Sequence, residues 1–173
     1  MSYSKSFCFC LAITTMLFLS TNVSAESAHR LGAGLNYWYA LDDIDVDNID
    51  DKGVSYLLSY QYIPSGLFKI EADLGITKEG YAGSDDLVLS PQIYLLAGKS
   101  IYGGIGIGIN YSNGEFAKEP FYALRAGFDL ELLPSIFLDI NANYRFENWN
   151  SDAVREDIDT DTITLGACIR VEL

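Results

Sequence analysis

The sequence predicts an all-β chain, an eight-stranded antiparallel up-and-down transmembrane β-barrel, on three observations. Between Leu31 and Leu173 it divides into eight segments that alternate apolar and polar residues, one face of each carrying no charge. The connections between segments alternate between tight turns and longer polar loops, and aromatic residues gather at the segment ends. Successive side chains on a strand face opposite sides, so a repeat of two marks a ribbon with two different surroundings.

Each strand is justified by its uncharged face. The first, 30–40, presents Leu31, Ala33, Leu35, Tyr37 and Tyr39; the second, 54–63, presents Val54, Tyr56, Leu58, Tyr60 and Tyr62. The third, 67–77, presents Phe68, Ile70, Ala72, Leu74 and Ile76. The fourth, 87–97, carries Leu87, Leu89, Ile93, Leu95 and Ala97, with Pro91 in its middle. Proline lacks an N–H, so that position calls for a bulge or an edge. The fifth, 101–111, alternates Ile101, Ile105, Ile107 and Ile109 with glycine; the sixth, 120–132, presents Tyr122, Leu124, Ala126, Phe128, Leu130 and Leu132. The seventh, 136–147, offers Ile136, Leu138, Ile140, Ala142, Tyr144 and Phe146; the eighth, 162–173, offers Ile163, Leu165, Ala167, Ile169, Val171 and Leu173. These lengths suit the ~9–11 residues with which a tilted strand crosses hydrocarbon.

The opposite face is charged with both signs: Lys69, Glu71, Asp73, Arg125, Asp129, Glu131, Asp139, Arg145, Glu147, Arg170 and Glu172. Buried charges persist when paired and hydrogen-bonded, so these eleven residues are expected to form a cross-strand ion-pair network inside a narrow barrel. An eight-stranded barrel is just wide enough for side chains to fill it.

Tight turns follow strands two, four and six at Pro64-Ser65-Gly66, Gly98-Lys99-Ser100 and Leu133-Pro134-Ser135, and longer loops cover 41–53, 78–86, 112–119 and 148–161. Short turns on one side and long loops on the other are the outer-membrane barrel pattern. Tyr37, Tyr39, Tyr56, Tyr111, Tyr122, Tyr144 and Phe146 fall at the loop end, and Tyr60, Tyr62 and Phe68 at the turn end. Amphipathic rings belong at headgroup level, which gives two girdles.

The N-terminus supplies the address. Lys5, the apolar run Phe7–Leu19 and Val23-Ser24-Ala25 read as a cleavable signal peptide over 1–25, leaving a barrel domain over 26–173. A retained N-terminal membrane helix is the alternative. The expected location is integral, in the outer membrane of a Gram-negative bacterium. Below Ala25 the chain has 10 Lys+Arg against 24 Asp+Glu, which argues against nucleic acid as a partner. One cysteine remains, Cys168, so no internal disulfide forms; it is read as an inert buried thiol.

The chain resembles the small eight-stranded outer-membrane β-barrel superfamily, the OmpA/OmpX-like group, over essentially its whole length after Ala25. The most specific element is the last strand, Thr164-x-Gly166-x-x-Ile169-x-Val171 ending in Leu173. It is similar to the signal by which such barrels are presented to the barrel insertion machinery, though the family usually ends in Phe or Trp. The resemblance implies Gly166, Ile169, Val171 and Leu173 as that signal, with outer-membrane lipid and the insertion machinery as partners. Roles in the superfamily range from anchoring and adhesion to pores and lipid-modifying enzymes, so membership alone does not deliver function.

Chemistry is sparse. Enzymes of this superfamily use a histidine with Ser or Asp, whereas His29 lies on the turn side, before strand one. No catalytic residue and no cofactor is expected. The first loop is acidic, and Asp42, Asp43, Asp45 and Asp47 form a candidate divalent-cation site for Ca²⁺ or Mg²⁺. The loop departs from a calcium-binding loop at Asn48 and Val54, so a solvated acidic loop is the default. Gly104, Gly106 and Gly108 should face inward and leave room for rings such as Tyr94, Phe121 or Phe137, the alternative being a narrow passage.

The expected function is therefore that of a non-enzymatic integral outer-membrane barrel with a packed polar interior and acidic loops, in envelope structure or surface interaction. Two alternatives stand: a soluble periplasmic lipocalin-like barrel with the same pattern turned inside out, binding an apolar ligand, and a small pore.

Overall fold

The computed structural model describes residues 27–41, 52–79, 81, 84, 86–149 and 158–173; 147–149 and 158–160 are described by backbone alone. The expected signal peptide and most of the first and last loops lie outside the described residues. Ten strands run β1 (Ala28–Ala40), β2 (Lys52–Ser65), β3 (Phe68–Thr77), β4 (Val88–Gly98), β5 (Ile101–Gly108), β6 (Tyr111–Ser112), β7 (Glu115–Phe116), β8 (Phe121–Leu133), β9 (Ile136–Trp149) and β10 (Ile158–Glu172). Eight of them close a ring. Each pairs antiparallel with its neighbour, β3 pairs with β4, and β1 pairs with β10 from Arg30↔Glu172 to Ala40↔Thr162. The seam is extended by Leu173 N donating to His29 O at 2.9 Å.

β6 and β7 form a short hairpin where a loop over 112–119 is expected, and Tyr111, expected at the end of strand five, begins β6. The hairpin turn is Asn113-Gly114, with φ of 54° and 85°. Two successive positive φ values are what a two-residue hairpin with right-handed strand twist needs, and Asn-Gly supplies them at low cost.

Pro91 sits in a regular ladder with β3, opposite Leu74, with no register shift, so the anticipated bulge is absent. A residue's N and C=O point to the same side of a strand, and Pro91 O accepts from Ile109 N at 3.1 Å. The nitrogen without a hydrogen therefore also faces the β5 side. There the regular pairing ends at Gln92↔Gly108 and resumes only at Leu89↔Tyr111. The ladder is broken where the donor is missing.

Every described residue expected on the uncharged face is exposed or half-buried, and most alternate positions are buried. The exceptions are half-buried glycines such as Gly32, Gly34, Gly104 and Gly106 and residues near the turn-side mouth such as Glu131, Phe137 and Glu172. Leu58 is 50% exposed while its neighbour Ser59 is 5% exposed. A lipocalin-like interior would require the reverse, so the inside-out alternative is overturned by this burial pattern. An uninterrupted apolar outer wall of this size belongs in lipid. Leu58→Arg, near the middle of β2, is expected to cost roughly 2–4 kcal/mol in a bilayer, and Glu115→Arg at the exposed β6–β7 hairpin close to nothing. Urea midpoints of the vesicle-folded variants measure both.

Candidate functional site in the barrel interior

The interior is a charged core to which all eight barrel strands contribute. Its hub is Glu71 on β3, set inward by the parity that puts Ile70 and Ala72 outward. Arg125 from β8 reaches Glu71 at 2.5 Å and Asp73 at 2.8 Å through its two terminal nitrogens, and its Nε donates to Asn143. Arg170 from β10 reaches Glu71 at 2.7 Å and Asp139 at 2.8 Å. Gln61 donates to Glu71 at 2.6 Å, Tyr102 to Asp139 at 2.6 Å, and Asn141 to Asp139 at 2.5 Å. The guanidinium–carboxylate pairs of this layer are wholly or almost wholly buried.

A second layer lies toward the tight turns. Asp129 accepts from Arg30 at 2.8 Å and from Lys69 at 2.5 Å, and Arg30 continues to Glu172 across the β1–β10 seam at 2.9 Å. Lys69 also donates to the Lys99 carbonyl at 3.0 Å. Toward the long loops, Arg145 makes longer bonds of 3.3 Å to Tyr81 and to Gln92. Among the described residues five buried cations face four buried carboxylates, with half-buried Glu172 completing the balance.

Four of those cations also lie over aromatic rings: Arg30 over Phe137 at 3.4 Å, Arg125 over Tyr94 at 3.6 Å, Lys69 over Tyr102 at 4.9 Å and Arg145 over Phe121 at 5.0 Å. Glycines make room for three of the rings. A Cβ on Gly106 would collide with the Tyr94 ring, one on Gly108 with Phe121, and one on Gly127 with Tyr102. Each bare stretch of wall leaves room for a ring against the backbone, and the ring's face carries a cation. The glycine run of the fifth strand is thus the base of glycine–ring–cation stacks, and the idea of a passage along it finds no room at these positions.

Of the residues expected in the network, Lys69, Glu71, Asp73, Arg125, Asp129, Asp139, Arg170 and Glu172 are brought together. Arg145 lies in the separate layer beside Tyr81 and Gln92. Glu131 is a correction: it is exposed, because β8 passes the turn-side mouth there and its pairing with β9 shifts between Glu131 and Leu133. The Glu147 side chain and Asp42, Asp43, Asp45 and Asp47 lie outside the described residues. Arg30, Gln61, Tyr94 and Tyr102 were not singled out for the network. Strand parity was the available signal, since each has the parity of its strand's charged or polar face. On β10, Gly166 faces inward, Ile169 and Val171 face outward, and Leu173 is exposed at the end. His29 faces outward at the turn end, its Nδ1 2.8 Å from Tyr60 Oη and its ring stacked on Tyr62. Cys168 is buried beside Arg170's strand neighbours, its Sγ 3.6 Å from Ile169 O.

This combination of a closed eight-stranded ring, apolar outside and ion-paired inside, is that of the small outer-membrane barrels. Solved structures of that class share the fold. Neisserial surface protein A matches with a TM-score of 0.64 and 17% identity, over 86% of this chain and 99% of that one. The outer-membrane protein OprG of Pseudomonas aeruginosa matches with a TM-score of 0.55 and 16% identity, over 84% and 96%. The outer-membrane protein AlkL matches with a TM-score of 0.51 and 14% identity, over 89% and 93%. No protein-family model and no curated protein matches the chain. The chain has the fold of these outer-membrane β-barrels, with an uncharged outer wall.

Proposed function

We propose that this protein is a non-enzymatic integral barrel whose lumen is sealed and whose work is done at its loops, in envelope structure or surface interaction. The observation that carries this reading is the two-layer network to which every barrel strand contributes, with rings lying against the wall between its members. Opening a water path would unpair buried charges, at a cost of several kcal/mol for each. In this reading residues 1–25 are an export signal removed on secretion, and β10 with Gly166, Ile169, Val171 and Leu173 is what the insertion machinery engages. The acidic first loop attracts basic partners and, at Asp42, Asp43, Asp45 and Asp47, divalent cations.

The test is electrical. Reconstituted in planar bilayers, the folded protein is expected to leave the membrane at its baseline conductance. Discrete, sustained steps would make it a small pore. On the surface side, retention of a lysine-rich peptide on protein-bearing vesicles should fall as salt rises past ~0.15 M, where exposed charges are screened beyond about 8 Å. Equal retention of an acidic peptide would contradict the loop reading.

A further inference from the structure

A cavity of about 430 Å³ opens at the loop end of the wall, where β2 rises past the end of β3, between Trp38, Gly53, Tyr56, Thr77, Lys78 and Glu79. That volume lies within the range of small-molecule sites. Its inner side is aromatic and braced. The Trp38 indole is buried, meets Tyr81 edge-on at 4.8 Å, and presses so closely on Gly53 that a Cβ there would sit 2.9 Å from the ring. Its outer side is the exposed Tyr56 ring, part of the loop-end girdle, so the mouth opens at headgroup level. Exposed Lys78 and Glu79 stand at the rim, with the buried Thr77 below them.

These groups match one kind of ligand. The exposed Tyr56 ring can pack on the C–H face of a sugar, with buried Trp38 as the floor behind it, while a carboxylate accepts from its hydroxyls and an ammonium with three donors suits a phosphate oxygen. We propose that this cavity seats a phosphorylated sugar headgroup of a glycolipid in the leaflet around the loop end, with Lys78 on the phosphate and Glu79 on the sugar hydroxyls. The proposal rests on the reading of the chain as a lipid-embedded barrel, which supplies the leaflet from which such a headgroup would reach Tyr56.

The test uses the full exported chain carrying Trp149→Phe, so that Trp38 is the sole tryptophan, folded into phosphatidylcholine vesicles. Added lipopolysaccharide is expected to change Trp38 emission saturably, and Lys78→Ala should raise the half-saturating concentration by about tenfold, the value of one charge-assisted contact. Glu79→Gln should weaken the response as well. A saturable response to soluble glucosamine 1-phosphate of equal strength would support the site and make free sugar phosphate its source. Mobility of unheated samples in SDS gels reports barrel folding separately. Loss of the folded form counts against the membrane-barrel reading. A folded barrel with no saturable response, or one indifferent to both Lys78→Ala and Glu79→Gln, overturns the site.

Discussion

Arg125→Ala is expected to lower the stability of the folded barrel by about 3–5 kcal/mol, the cost of breaking a buried ion pair by removing one partner. Arg125 holds Glu71 at 2.5 Å and Asp73 at 2.8 Å and lies 3.6 Å above the Tyr94 ring. Its loss leaves two carboxylates side by side in the interior, of which Glu71 keeps the guanidinium of Arg170, itself shared with Asp139. The measurement is the urea midpoint in vesicles. Glu115→Ala in the β6–β7 hairpin, exposed and outside the network, should fall within about 0.5 kcal/mol of wild type. Arg145→Ala should lie between, since its bonds to the neutral Tyr81 and Gln92 are 3.3 Å long. The double variant Arg125→Met/Glu71→Gln should recover part of the loss, because it removes charge from both sides. Equal midpoints for Arg125→Ala and Glu115→Ala would contradict an interior held by ion pairs.

Gly106→Val should cost about 1–3 kcal/mol, the range for overpacking a filled core. The new Cβ would enter the space of the Tyr94 ring, over which Arg125 also lies, so wall packing and network are struck together. Gly103 is the control. It has the lipid-facing parity of the same strand, and a Cβ there meets nothing nearer than Arg125 O at 3.6 Å. Gly103→Ala should therefore be neutral or slightly stabilising, as removing a glycine from a strand usually is where space allows. If both substitutions shift the midpoint equally, the glycines serve backbone freedom and not ring seating.

What the sequence made legible, and what it hid, follows from the physics of a two-residue repeat. Parity alone placed Leu58 outside and Ser59 inside, and assigned Glu71, Arg125, Asp139 and Arg170 to one interior. It misplaced Glu131 because a residue of inward parity is enclosed only while its strand lies within the closed wall. Arg30 was within reach of the same rule, one residue before Leu31. The stacks on Gly106, Gly108 and Gly127 were only partly visible: inward glycines were expected to accommodate rings, but which ring lies over which glycine depends on cross-strand register. Tyr94 faces Gly106 because β4 and β5 pair at those two residues. Asn113-Gly114 was a readable hairpin signature absorbed into a loop. Pro91 was expected to call for a bulge or an edge; β4 instead keeps its register and loses regular β5 pairing at that point.

The central claim is that the uncharged face meets lipid while the charged face is closed to water, and cysteine accessibility tests both halves at once. The pair is native Cys168, buried inside, and Leu58→Cys, on the outer wall, each in vesicle-folded protein, with modification sites read by mass spectrometry. A lipid-partitioned maleimide should modify residue 58, and a small water-soluble maleimide should leave Cys168 untouched until the barrel is unfolded. Modification of Cys168 from water in the folded barrel, or protection of residue 58 from the lipid-borne reagent, would contradict the account.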